Sequence, residues 1–175
     1  MTHKLEELAS KAVGTVKAAK ASFDGINGVF RHLMREHGEV SALLMRLKLS
    51  ADPEMRRELW QEIRVELLSH EQAERLIVYP VLEQNAQTAN MVARHNRDAG
   101  DLEDVIEELN KLGVESPEWP PTLERLIAQV QEHVRDEEEE YFPIADYVFK
   151  ERSDDMLARF EKAKAKAKNQ LTSSP

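Results

Sequence analysis

Apolar residues recur four and three apart along four stretches of the chain, and each recurrence marks one face of an α-helix. The first stripe runs Ile26, Phe30, Leu33, His37, Val40, Leu44 and Leu47, and the second Trp60, Ile63, Leu67, His70, Glu74, Ile77 and Val81. The third is Thr88, Met91, His95, Asp98, Leu102, Val105, Leu109 and Leu112; the fourth is Leu123, Leu126, Val130, His133, Glu137, Tyr141, Ile144 and Val148. Alternating steps of four and three make the a/d pattern of a bundle seam, so the stripes predict four helices around a shared interior. No stretch alternates polar and apolar positions with β-branched enrichment, and no sheet is expected. The predicted fold class is all-α, an up-down four-helix bundle with extra N- and C-terminal helical segments. A chain of 175 residues is long enough to bury one such core.

The joints follow from local chemistry. Asp52-Pro53-Glu54 supplies an N-cap, a proline at the first helical position and an acid in the first turn, which starts the second helix. Asn85 to Thr88 separates the second helix from the third. Gly113 to Pro121 is the longest break, with Thr122 expected to cap the fourth helix and Trp119 to close one end of the bundle from the loop. Pro80 and Pro143 fall within or near the ends of periodic stretches and should kink or end those helices. Three segments result: 1–21, an amphipathic helix carrying Leu5, Leu8, Ala12, Val16 and Ala19; 22–150, the bundle; and 151–175, a C-terminal helix and flexible tail. In the last segment Ser153 is the expected cap and Met156, Leu157 and Phe160 the apolar face. The Lys/Ala run Lys162 to Lys168 reads as a solvated helix or a flexible tail.

Polar residues interrupt each stripe where core is expected. Every stripe carries one imidazole, and His70 with Glu74 repeats as His133 with Glu137, each pair four apart and followed by an aromatic-proline pair, Tyr79-Pro80 and Phe142-Pro143. The first two helices thus resemble the second two, a pseudo-twofold arrangement. His3 with Glu7 and His32 with Glu36 share the spacing but lie off the stripes. Burying four His and two ionised Glu without partners costs several kcal/mol for each group, so such a chain pairs them or coordinates cations. One imidazole on an apolar stripe is ordinarily a core group bonded to a carboxylate. Four on four stripes, with two Glu at matched offsets, read instead as two nitrogens and one carboxylate per half-chain, a set suited to two ions of Fe, Mn or Zn. Glu71, beside His70, is either an additional ligand or a solvated flank. Glu138 and Glu139 read as solvated, and Tyr79 and Tyr141 as packing residues more than hydrogen-bond donors.

These residues resemble the hemerythrin-like, or HHE cation-binding, domains. The likeness covers roughly Phe23 to Phe149 and rests on the first-helix His, on His70, Glu71 and Glu74, on the third-helix His, and on His133 and Glu137 with the acidic run and Phe142-Pro143. It implies a di-iron centre in which Glu74 and Glu137 bridge two ions, His37, His70, His95 and His133 are terminal ligands, and a vacant position accepts dioxygen. The implied cofactor is two iron ions with an oxo or hydroxo bridge, zinc or manganese being substitutes. Oxygen-carrying hemerythrins have a second His one turn after the third-helix ligand, and this chain has Ala99 there. A ferritin-like site needs an acid three residues before each His, and Met34, Leu67, Val92 and Val130 occupy those positions.

A net charge of −9 and a pI near 5.2 argue against a nucleic-acid surface. There is no Cys, hence no disulfide or Cys-ligated cluster. No signal-peptide core or membrane span is read, so a cytoplasmic protein is expected, with a homodimer through the N-terminal helix as one arrangement it allows. The function this supports is binding of dioxygen or a related small ligand, nitric oxide or peroxide, in sensing or in oxidative or nitrosative stress. No catalytic residue is assigned and the reading leans away from an enzyme. The alternatives are an enzyme that consumes peroxide or oxidises iron, and an interaction bundle whose metal only staples four helices.

Overall fold

A computed structural model describes residues 25–173. The segment 1–21, with its expected helix, His3 and the dimer contact, lies outside the described residues. Helix α1 is Gly28–Leu49 and α2 is Pro53–Ala73, which continues through a π-turn, Glu74–Val78, into the short α3, Tyr79–Leu82. Helix α4 is Ala89–Lys111, and α5 is Trp119–Asp136, continuing through a second π-turn, Glu137–Tyr141, into α6, Phe142–Phe149. A 3₁₀ turn, Lys150–Arg152, leads to α7, Ser153–Ser173. No strand occurs among the described residues. Helix α1 packs on α2, α2 on α4, α4 on α5 and α5 on α1, closing the four-helix ring, while α7 lies against α1 and α2.

The polar stripe positions divide the core in two. One apolar cluster holds the later part of α1, the first part of α2, the later part of α4 and most of α5, from Val40, Leu44, Trp60 and Ile63 to Leu109, Trp119 and Leu126. The other gathers the opposite ends, including Phe30, Leu33, Val78, Tyr79, Phe142 and Phe149, and takes Met156 and Phe160 from α7. Antiparallel helices alternate between the clusters in this way, and the four imidazoles fall between them.

Asp52 caps α2 as its sequence predicts, accepting from Glu54 N at 3.0 Å. Three other expectations need correction. Helix α5 starts at Trp119, whose ring is deep in the core, and Thr122 lies inside the helix with its Oγ1 donating to Glu118 O at 2.8 Å. Two prolines fit its first turn because N–H groups there have no helical acceptor. The stripe also slips by one residue after each π-turn: Val78, Ala145 and Phe149 take the deep positions expected of Ile77, Ile144 and Val148, leaving Ile144 38% exposed. A π-turn uses five residues where an α-turn uses fewer than four, which rotates everything after it. The Lys/Ala run of α7 is not all solvated either, since Lys164 and Ala167 are buried.

Ser153 serves a different helix from the one expected. Its hydroxyl accepts from Val29 N at 3.1 Å and donates to Asn27 O at 3.2 Å, capping α1 from the start of α7. Gly28 allows this contact: its φ is +52°, and a Cβ there would overlap the Ser153 side chain. Gly28→Ala therefore combines backbone strain with a steric clash and should destabilise the protein by about 1–3 kcal/mol. Gly25→Ala, at φ +84° but facing open space, should cost only the backbone part. Urea unfolding of the two variants checks this, and equal midpoints would show that the Ser153 contact is unimportant.

Candidate metal centre

Both π-turns begin at a stripe carboxylate. Tyr79 N bonds to Glu74 O and Phe142 N to Glu137 O, five residues back in each case, and Pro80 or Pro143 follows immediately. A proline inside a regular helix collides with the carbonyl four residues earlier, and the wider turn relieves that collision. The helix therefore bulges where Glu74 and Glu137 point inward.

Four helices bring their polar side chains into one layer. His37 Nε2 is 3.2 Å from Glu137 Oε2, and His70 Nε2 is 3.5 Å from Glu74 Oε2. Across the layer His95 Nδ1 is 3.3 Å from Glu137 Oε1, and His133 Nε2 is 3.1 Å from Glu71 Oε1. Two groups result, His37, His70, Glu74 and Glu137 on one side and Glu71, Glu74, His95 and His133 on the other, with the ligand atoms of each within 4.8 Å of one another. Glu74 belongs to both, and Glu137 turns one oxygen toward His37 and the other toward His95. All six residues singled out by the stripes converge here. Glu71 joins them, and at 2% exposure it is no solvated flank. Ala99 is buried nearby with no ligand to offer, so Glu71 gives the second group its additional donor from α2.

The atoms facing one another lack partners. His37 Nε2, His70 Nε2, both nitrogens of His95, His133 Nε2, Glu71 Oε2, both oxygens of Glu74 and Glu137 Oε2 are buried without a hydrogen bond. Leaving such groups unsatisfied costs about 1–3 kcal/mol each, and a cation accepts lone pairs from both types. The residues present fit a metal site. In its absence, protons do part of the same work. Burial opposes charge on His37, His70 and His133, but the facing carboxylates outweigh it and raise all three, His133 to about 10. Burial also opposes ionisation of Glu71 and Glu137, yet His133 holds both below the usual carboxylate range.

A second layer holds the imidazoles. His37 Nδ1 donates to Glu138 Oε1 at 3.0 Å and His70 Nδ1 donates to Glu36 Oε2 at 2.8 Å, which turns each Nε2 inward. Glu138 is thus a partner of His37, not a solvated residue of the acidic run. His32 stays off the ligand layer, as its position predicts, but its Nε2 donates to Glu36 Oε1 at 3.0 Å. Tyr79 lies in the site itself: its hydroxyl donates to Glu137 Oε1, and its ring stacks on His95 at 3.7 Å. Burial and the Glu137 charge push the Tyr79 phenol well above its ordinary value, keeping it a donor. Its repeat counterpart Phe142 stacks on His37 with an interplanar angle of 17°, while Tyr141 turns away and accepts from Arg94 Nε at 2.6 Å. Sequence periodicity misses Glu36, Glu138 and Tyr79, although the His32–Glu36 spacing pointed to the first. A cavity of about 370 Å³ reaches His37, His70, Glu71 and His133 between walls that include Val40, Leu43, Leu67 and Val130.

Two predictions follow from this geometry. Glu138→Gln weakens the bond that orients His37, and Glu71→Gln removes an inner donor, so each should lower metal affinity about 10- to 100-fold in a metal titration; unchanged affinity in both would remove these roles. The second concerns the metal-free protein. A raised imidazole stabilises fully below its ordinary value of 6.5, and for His133 that contribution is lost as pH climbs toward about 10. The lowered carboxylates contribute above their ordinary 4.5. Chelated protein should therefore melt highest between about pH 5 and 6.5 and fall steadily above that, whereas a melting point that rose from pH 7 to 9 would contradict the charge pairing.

Residues 25–145 match the Hemerythrin HHE cation binding domain. Over 137 residues, 78% of its length, the chain is 24% identical to a protein named "DNA nickase" from Nostoc sp. (strain PCC 7120 / SAG 25.82 / UTEX 2576), of which it spans 39%. No solved structure matches the chain. The matched region contains every residue of the His and Glu layer, and the chain belongs to the hemerythrin HHE cation-binding family.

Proposed function

We propose that the layer holds two iron ions, one at His37 and His70 and one at His95, His133 and Glu71, with Glu74 and Glu137 shared between them. Through them the chain would bind dioxygen or a related small ligand, nitric oxide or peroxide, in sensing or in oxidative or nitrosative stress. The observation that carries this is the set of buried, partnerless nitrogen and carboxylate atoms facing one another between two apolar half-cores. Iron in this donor set supplies one electron from each ion and open coordination positions, neither of which redox-inert zinc offers in the same way.

The chain's own residues do the rest. Glu71 gives the His95 and His133 side an additional donor, so the His37 and His70 side has fewer protein ligands and is the one bordered by the cavity on both imidazoles. Val40, Leu43, Leu67 and Val130 keep its walls apolar, which suits a neutral diatomic. Tyr79 keeps a proton on its hydroxyl beside Glu137. Three carboxylates against two divalent ions leave the centre positive.

One observation favours the enzyme reading. A cavity of about 370 Å³ falls in the range of small-molecule pockets and is larger than a diatomic needs, so peroxide consumption remains the second reading. We do not extend the name of the Nostoc protein to this chain, since a net charge of −9 repels a phosphate backbone. No described helix is long and apolar enough to cross a membrane, and a cytoplasmic location is part of the proposal. The test is anaerobic, with reduced, iron-loaded protein given dioxygen, nitric oxide or hydrogen peroxide. Reversible uptake of one ligand per chain is expected. Repeated consumption of peroxide would establish the enzyme reading instead, and no reaction with any of the three would leave only a structural staple.

A further inference from the structure

His70 is connected through one carboxylate to a helix outside the matched family region. Glu36 Oε2, which accepts from His70 Nδ1 at 2.8 Å, is 2.6 Å from Lys164 Nζ. Lys164 lies on α7, beyond the residues 25–145 that match the family, and is only 6% exposed. An ammonium buried to that extent needs fixed partners, and a second one is Glu66 of α2 at 3.1 Å. Phe160, one turn earlier on α7, sets its ring edge against His70 and His32, each with centroids 5.8 Å apart. The same helix therefore touches the His70 ring directly and holds the carboxylate that orients it.

We propose that α7 is a working part of the metal centre: Lys164 fixes Glu36 against His70 Nδ1, so that docking of α7 and occupancy of the His37 and His70 half-site favour each other. This rests on the reading that the layer binds metal. The chain of causes is short. Glu36 sits at the margin of the cavity, and without Lys164 nothing on α7 holds its carboxylate toward the layer. A His70 ring that loses its Nδ1 acceptor is free to change tautomer and tilt, and Nε2 no longer faces Glu74. Because coupling between two equilibria is reciprocal, metal at His70 must in turn hold α7 down. The His95 and His133 half-site has no such connection, as Glu71 and Glu74 reach it from α2. Lys164 and Glu36 are positioning residues, and the effect should be confined to one ion of the two.

The experiment uses the full chain, stripped by chelator and titrated with cobalt(II), with the visible absorption and the hydrogen exchange of Ser153–Ser173 recorded at each step. Lys164→Met and Glu36→Gln should each weaken one cobalt site about 10- to 100-fold and leave the other within about twofold. Lys166→Met, at an exposed position of the same helix, should change neither. Exchange across α7 should slow on cobalt loading of the unaltered chain, and slow less in Lys164→Met. Equal weakening of both sites, no weakening of either, or an α7 whose exchange ignores the metal would overturn the proposal while leaving the metal centre intact. An unaltered chain that takes up no cobalt would overturn the metal reading and this inference together.

Discussion

Four imidazoles and three carboxylates occupy the middle of a bundle whose remaining interior is apolar, and the rest of the structure is arranged around keeping them there. Unpaired, such groups would each cost more than a typical core side chain contributes. The solution is a complete layer, in which every polar group faces another and the apolar core is split into halves above and below it. The π-turns at Glu74 and Glu137 serve the same end by aiming the shared carboxylates inward where Pro80 and Pro143 forbid a regular turn. Glu36 and Glu138 fix the His70 and His37 rings from outside.

Much of this was legible in the chain because helical periodicity is strict. Stripes with steps of four and three located four helices and placed His37, His70, Glu74, His95, His133 and Glu137 in one interior, since a residue on the stripe has little choice of direction. The rule fails where its assumption does. It takes a constant turn, so it assigned Ile77, Ile144 and Val148 to depths that Val78, Ala145 and Phe149 occupy after the bulges. The prolines six residues after each shared carboxylate marked the irregularity without giving its size.

The outer layer was harder to read for a different reason. Glu36 and Glu138 each stand one residue from a stripe position, where a side chain ordinarily meets solvent, and only the neighbouring helix shows what they reach. Glu71 was ambiguous on the same ground. Lys164 was hidden in a run of Lys and Ala whose composition suggests solvent, though one lysine in that run falls on the face that α7 turns to the bundle. The pseudo-twofold repeat predicted matching halves, and the halves differ where chemistry would use the difference: Tyr79 carries a hydroxyl that Phe142 lacks, and Glu71 has no equivalent beside His133.

The central claim is that this layer is a two-ion centre, and anomalous diffraction from iron-loaded crystals tests it most directly. The account predicts two iron peaks about 3.5–4 Å apart, one bounded by His37 and His70, the other by His95, His133 and Glu71, with Glu74 and Glu137 between them. A single peak at full occupancy, or iron found only outside the layer, would contradict it.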